Sequence, residues 1–251
     1  MKKFLVMVLV GFFATVGFAQ KTDEQNSAVK AAETSVAKTE NSALMDLANA
    51  TLKAHGGDLL KNMKSLTMIG SADITVSAFP QKVPGSFVTI FSGEKYRFEL
   101  NIPGQPVKQI FDGEQTFSTI QGGFQLPPVN RFGIPLIQRI GDKDFVISGL
   151  NDDKEFKKGF RITTPEGFYT DFIIDKKTGL VKSYNSSFVV NGNNVSTSVE
   201  IDKTRSVDGI VVPEKYAQRF DFGQLTVYSE FKSKEIIVNK EIADDVFVMS
   251  K

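Results

Sequence analysis

The sequence predicts a mainly β, α+β chain whose strands follow one another as an antiparallel meander, and three observations carry that expectation. Apolar residues alternate with polar ones in Phe87, Thr89, Phe91; in Tyr96, Phe98, Leu100, Ile102; in Phe168, Thr170, Phe172, Ile174; in Tyr184, Ser186, Phe188, Val190; and in Tyr216, Gln218, Phe220, Phe222. A period of two puts one face of each segment against apolar surroundings and the other in water. Turns containing Gly or Asn separate the segments at Ser92-Gly93-Glu94, Asp112-Gly113-Glu114, Lys177-Thr178-Gly179, Asn191-Gly192-Asn193 and Asp208-Gly209, where a positive φ is needed. Helical spacing is confined to the stretch before residue 64 and to one apolar stretch between strand groups, so the alternation of a parallel sheet is missing. A one-sided meander has no interior unless the sheet curls or is covered.

At the start, Lys2 and Lys3 precede an apolar run over residues 4–13 and small residues up to Ala19. That order is the grammar of a secretory signal peptide, residues 1–19, with cleavage after Ala19. A membrane anchor needs about 18 uncharged residues and the strongly apolar part is shorter, so removal is expected. Residues 20–41 carry almost nothing large and apolar and are expected to form a flexible leader. Ser42 reads as the N-cap of a first helix reaching to about residue 55, with Leu44, Leu47, Ala48, Thr51 and Leu52 along one face and Gly56-Gly57 as its exit. Asp58 reads as the cap of a short second helix carrying Leu59, Leu60 and Met63. Strands then fill a single domain, 42–251, interrupted at residues 127–141. There Phe132, Leu136 and Ile140 recur every four residues among prolines, the mark of a short helix or helical loop. An insertion this apolar must cover something.

Cysteine is absent, which excludes disulfides, thiolate metal sites and the acylated cysteine of a bacterial lipoprotein. The mature chain is therefore expected to be soluble, to span no membrane and to fold on an apolar core. Removing Lys2 and Lys3 from the 30 basic residues leaves 28 against 29 acidic ones. Charge so close to neutral gives no electrostatic case for nucleic acid. Of the 22 Phe, Phe4, Phe12, Phe13 and Phe18 fall in the signal peptide, leaving 18 in the mature chain, and there is no Trp. Phenylalanine buries a large apolar area without a polar handle, so the interior is either a dense core or a greasy cavity. Composition does not separate the two.

Familiar catalytic patterns are missing. The single histidine, His55, closes the first helix; a metal ligand or general base there would need a second His, a Cys or a paired carboxylate at helical spacing. It reads instead as a cation at a helix C-terminus. No Ser stands in a Gly-x-Ser-x-Gly setting. Asp152-Asp153 with Glu155, and Asp244-Asp245, lack the calcium-loop pattern and read as solvated turns. Gly122-Gly123 opens no nucleotide-binding helix. No enzyme activity, metal or cofactor is expected.

Several stretches, taken in order, resemble the LolA-like superfamily, the periplasmic outer-membrane lipoprotein carriers and related lipid binders. They are Ala54-His55-Gly56-Gly57 with Met63-Lys64-Ser65-Leu66-Thr67-Met68-Ile69-Gly70, then Ile174-Asp175-Lys176-Lys177-Thr178-Gly179-Leu180, Val207-Asp208-Gly209-Ile210-Val211-Val212-Pro213, and Val238-Asn239-Lys240-Glu241-Ile242-Ala243-Asp244-Asp245-Val246-Phe247. The resemblance runs from about residue 43 to 249. It implies a strongly curved antiparallel sheet, an incomplete half-barrel closed on one side by helices, whose concave apolar surface receives acyl chains. With the signal peptide it implies a periplasmic location, lipid or an acylated lipoprotein as ligand, and envelope transport proteins as partners.

Period-two alternation puts Phe87, Phe91, Tyr96, Phe98 and Leu100 on shared faces of two consecutive strands, and the insertion offers Phe132, Leu136 and Ile140 to cover them. These residues are the expected walls of an apolar ligand site. A second expectation is an envelope binding or scaffold module in which the same residues fill a solid core, and a third, less favoured, is a hydrolase.

Overall fold

The computed structural model describes residues 42–104, 106–120, 129–150, 158–190, 192–222 and 225–248. The expected signal peptide and leader, the Gly122-Gly123 pair and the Asp152-Asp153 stretch with Glu155 lie outside the described residues. Helix α1 covers 42–54 and buries Ala48 and Thr51. Residue 42 is already helical, so Ser42 is not a cap but part of the first turn. Helix α2 spans Asp58–Lys61; the cap position falls on Gly57, and Asp58 sits in the first turn, where the helix dipole favours its charge. Leu60 and Met63 are buried but Leu59 is exposed, because a single turn presents a narrower apolar face than its sequence suggests.

Twelve strands are found among the described residues: β1 Ser65–Val76, β2 Phe79–Ser92, β3 Lys95–Asn101, β4 Val107–Phe111, β5 Thr116–Ser118, β6 Val146–Ser148, β7 Gly159–Thr163, β8 Tyr169–Ile174, β9 Val181–Val190, β10 Asn193–Val207, β11 Ile210–Phe222 and β12 Leu225–Val238. All pair antiparallel, in the order β5-β4-β3-β2-β1-β12-β11-β10-β9-β8-β7-β6. First and last strands thus meet in the middle, and β5 and β6 are the two free edges of a sheet that does not close into a barrel. The chain between those edges contains the insertion, a 3-10 turn at Val129–Arg131 followed by helix α3 at Ile134–Ile137. A segment that leaves one edge and returns to the other has to cross the open side.

The sheet is bent. Phe98 on β3 and Tyr184 on β9 line one cavity, although six strand spacings of about 4.8 Å would hold them roughly 29 Å apart in a flat sheet. Arg131 likewise reaches Glu94, in the β2–β3 turn, at 2.7 Å and Glu166, in the β7–β8 turn, at 2.8 Å. Gly70 permits part of this: β1 slips register against β12 between Ile69 and Gly70, and a Cβ at Gly70 would run into the Lys232 carbonyl oxygen and the Phe87 ring. The core lies on the inner face, where Phe87, Tyr96, Phe160 and Phe172 pack with Leu60 of α2 and Leu136 of α3.

His55 is not a helix-end cation. It is buried, its Nδ1 donates to the Val211 carbonyl oxygen at 2.7 Å and its Nε2 accepts the Val181 N–H at 3.0 Å. The amide that Nε2 accepts leaves the single proton on Nδ1. Burial pushes its pKa below the ordinary histidine value. The Val211 N–H also donates to the His55 carbonyl at 3.0 Å. The glycines after His55, the turn ending at Gly179-Leu180 and the Asp208-Gly209 hairpin therefore converge on one neutral ring. It joins the helical layer to the sheet.

Candidate functional site: an apolar cavity under the insertion

Cross-strand register decides which side chains share the inner face. Phe91 faces Tyr96, Thr89 faces Phe98 and Phe87 faces Leu100. Leu66, Met68 and Gly70 of β1 stand opposite Phe91, Thr89 and Phe87. Beyond β12 the same face continues through Phe231 opposite Tyr216 and Val227 opposite Phe220, and from Gln218 through Val199 to Tyr184. Direct neighbours of this kind interlock their side chains, so the row is a largely apolar surface with aromatic rings on β2, β3, β9, β11 and β12.

Between this surface and the insertion lies a cavity of about 90 Å³. Val129, Phe132, Gly133, Ile134 and Pro135 roof it. Leu66, Met68, Thr89, Phe91 and Phe98 form one wall, and Tyr184, Pro213, Tyr216, Gln218, Phe220 and Phe231 the other. Of the residues singled out from sequence, Phe91, Phe98 and Phe132 line it. Phe87, Tyr96, Leu136 and Ile140 are buried in the core without lining it, and Leu100 packs at the core margin. The opposite wall was missed. Tyr184 and Tyr216 do open alternating segments, but the sequence holds no sign that the β1–β12 pairing brings those strands beside β2 and β3.

Two hydroxyls belong to this apolar space. The Tyr184 ring packs on Phe172 and the Tyr216 ring stacks on Phe231, with centroids 5.9 and 4.9 Å apart. Among the described residues neither phenolic oxygen has a hydrogen-bond partner. Burial pushes both hydroxyls far above the usual phenol range, and at Tyr216 the neighbouring Tyr184 adds to the effect. Gly133 of the roof lies over Tyr184, where a Cβ would stand 2.8 Å from its Oη.

Polar contacts ring the roof. Arg139 pairs with Glu94 at 3.3 Å and Asp142 at 2.9 Å, and Lys61 of α2 pairs with Asp142 at 2.6 Å. Together with the two Arg131 pairs these tie the insertion to both strand turns and to α2. Asn130 Nδ2 donates to the Glu94 carbonyl at 2.8 Å and Gln138 Nε2 to the Met63 carbonyl at 2.7 Å. A larger hollow, about 900 Å³, lies on the opposite face of the sheet, beside Arg161, Asp171, Asn185 and Arg219. Two of the cations beside it are paired, Arg161 with Asp171 at 2.6 Å and Arg219 with Asp221 at 2.8 Å, and Lys182 lines it as well. Among the described residues no group of three or more His, Cys, Asp or Glu is placed to hold a metal ion, and no helix is long and apolar enough to cross a membrane.

Bent open sheet, covering insertion and apolar cavity together define an antiparallel half-barrel with a roofed pocket. No family model matches the chain, and no curated protein matches it. Among solved structures it is similar to a DUF1329 family protein from Desulfovibrio piger, with a TM-score of 0.47 and 11% identity over 83% of this chain and 97% of that one. It is also similar to a domain named for outer membrane lipoprotein sorting from Vibrio parahaemolyticus, with a TM-score of 0.46 and 7% identity over 82% of this chain and 97% of that one. A LolA superfamily protein from Nitrosomonas europaea gives a TM-score of 0.49 and 9% identity over 80% of this chain and 97% of that one. Likeness at this level says nothing of a ligand.

Proposed function

We propose that this chain is an exported, non-catalytic carrier that shelters the acyl chain of a lipid or an acylated lipoprotein between the inner face of the sheet and the insertion. Removal of residues 1–19 would release it to the periplasm, where envelope transport proteins would deliver or receive the ligand. The observation that carries this reading is the cavity itself, an apolar space walled by both arms of a bent sheet and roofed by the one apolar crossing segment. At about 90 Å³, it is smaller than the roughly 150 Å³ that accommodates a benzene ring. An acyl chain therefore needs the insertion to lift. The ion pairs that hold the insertion are partly exposed and worth at most about 1 kcal/mol each, whereas each methylene buried contributes about 0.8 kcal/mol. Raising the insertion would also uncover Leu136 and Ile137, both fully buried, so the acyl chain has to replace that apolar contact as well. With the insertion raised, the ligand would lie against Phe87, Phe91, Tyr96, Phe98 and Leu100, with Phe132, Leu136 and Ile140 above it.

One observation favours a second reading. The small volume and the complete burial of Phe87, Tyr96 and Leu136 suit a solid core in an envelope scaffold module. Native mass spectrometry of protein purified from its own host, beside titration with a fluorescent fatty acid, separates the two. A co-purified lipid mass and saturable binding are expected; a folded protein that shows neither leaves the scaffold.

A further inference from the structure

We propose that the end of the sheet formed by the β1–β2, β3–β4, β9–β10 and β11–β12 turns docks on a lipid surface, with Val189 and Leu225 entering the interface. The topology sorts the turns into two groups. Because neighbouring strands run antiparallel, the turns after β1, β3, β7, β9 and β11 share one end, and those after β2, β4, β8 and β10 share the other, where His55 meets Val181 and Val211. The second end is charged, with Glu94-Lys95, Asp112, Glu114 and Lys176-Lys177 in its turns. The first is not. Residues 74–81, 100–107, 183–199 and 222–229, which hold four of its five turns, contain no Asp, Glu, Lys or Arg, in a chain of which 24% is charged. The fifth turn holds Glu166, which is paired with Arg131 at 2.8 Å. Charges that flank these stretches are paired as well, Lys82 with Glu230 at 2.9 Å, Lys108 with Glu99 at 3.0 Å and Arg219 with Asp221 at 2.8 Å.

Within that uncharged end Val189 is 64% exposed and Leu225 39%. Exposed apolar side chains without a charge beside them gain by leaving water, and a lipid interface takes them in without the cost of burying an ion. Protein interfaces set an apolar centre inside a polar, charge-bearing rim. Apolar residues on separate turns with no charge between them suit a fluid lipid surface better, because lipid adjusts to tips that do not share a plane. The uncharged end also continues the inner face. Leu225 stands opposite Phe222, Phe222 stacks on Phe220 with centroids 5.7 Å apart, and Phe220 is a wall of the cavity. Docking at this end does not depend on what the cavity holds, and it would set the apolar face in line with the lipid.

The test uses the mature chain with vesicles of phosphatidylcholine alone and of equal parts phosphatidylcholine and phosphatidylglycerol, read by co-sedimentation. Binding to both is expected, equal within about twofold and unchanged by added salt, because no charge takes part. Val189→Asp and Leu225→Asp are each expected to weaken it severalfold and the double variant to abolish it, with melting temperatures near wild type because both positions are exposed. Leu59→Asp is the control: Leu59 of α2 is 55% exposed at the opposite end, beside Gly209, and its variant should bind vesicles like wild type. Binding to the anionic vesicles alone and lost in salt, undiminished binding by the double variant, or equal loss in Leu59→Asp would each overturn the proposal. So would a folded wild type that stays in the supernatant; if that protein forms a dimer in analytical ultracentrifugation which the double variant disperses, this end joins two copies instead. Fatty-acid titration of the same proteins keeps this proposal apart from the carrier reading. The double variant is expected to bind the fatty acid like wild type, and a wild type that binds vesicles but no fatty acid would keep the docking end and lose the carrier.

Discussion

His55 bonds through both ring nitrogens, so removing the ring strands the Val211 carbonyl and the Val181 amide inside the protein. Each unpaired buried group costs about 1–3 kcal/mol, so His55→Ala is expected to lose roughly 2–5 kcal/mol of stability by chemical denaturation. A loss no larger than a surface substitution's would remove the joint from the account. The same ring sets a pH dependence. Its folded pKa is depressed, so the unfolded chain takes up a proton near pH 6.5 that the folded chain refuses. Stability is then at its full value above about pH 6.5 and declines as pH falls below it, ahead of most carboxylate titration. Because His55 is the only histidine, a pH series of denaturation midpoints compared with His55→Gln isolates the effect, and identical slopes in both proteins would contradict it. The sequence places His55 at a helix end but not in the interior. Its partners lie 126 and 156 residues away, beyond the reach of any local pattern.

Strands are legible where their inner residues are large. Phe87, Phe91, Tyr96 and Phe98 announce β2 and β3, and Tyr216 to Phe222 announce β11, because aromatic alternation is a strong signal. Inner positions of β10 and β12 include Thr197, Ser229 and Ser233, and small hydroxyl residues alternate without hydrophobic contrast. The insertion is legible as apolar cover, yet its four-residue spacing extends as α-helix only over Ile134–Ile137. With glycines of positive φ on both sides, at Gly133 and Gly141, the segment turns, and Leu136 and Ile140 enter the core while Phe132 and Ile134 face the cavity. Leu136→Arg is accordingly expected to unfold the protein by burying an unpaired charge, not to block a ligand in a folded one. Two phenylalanines separate core from cavity. Phe160 is fully buried and Phe160→Ala should cost about 3–5 kcal/mol. Phe98 is only partly buried and borders the cavity, so Phe98→Ala should cost clearly less and keep or enlarge the binding space. Equal losses in a urea series would mean that the cavity behaves as solid core.

At the scale of the whole molecule, the order of strands decides where the insertion falls. An open sheet with its termini paired in the centre leaves two edges, β5 and β6, each three residues long, and short edges resist pairing with other chains. The insertion lies in the chain that joins them and roofs the cavity on the inner face. Arg131 is the part of that segment that touches both arms, through Glu94 and Glu166. In the proposed carrier, a cavity of about 90 Å³ would make binding wait on movement of the insertion, and the observed association rate of a fluorescent fatty acid should then level off as its concentration rises. Arg131→Gln removes the ion pairs to Glu94 and Glu166 without touching a cavity wall, leaving Asn130 and Arg139 on the β2–β3 turn, so it is expected to raise that plateau with a stability loss of about 1 kcal/mol or less, as for other partly exposed pairs. Raising the salt concentration should move wild type in the same direction by screening those pairs. Stopped-flow traces decide it: a rate that climbs linearly with probe and is indifferent to Arg131 would show that the site stands open without any movement of the insertion.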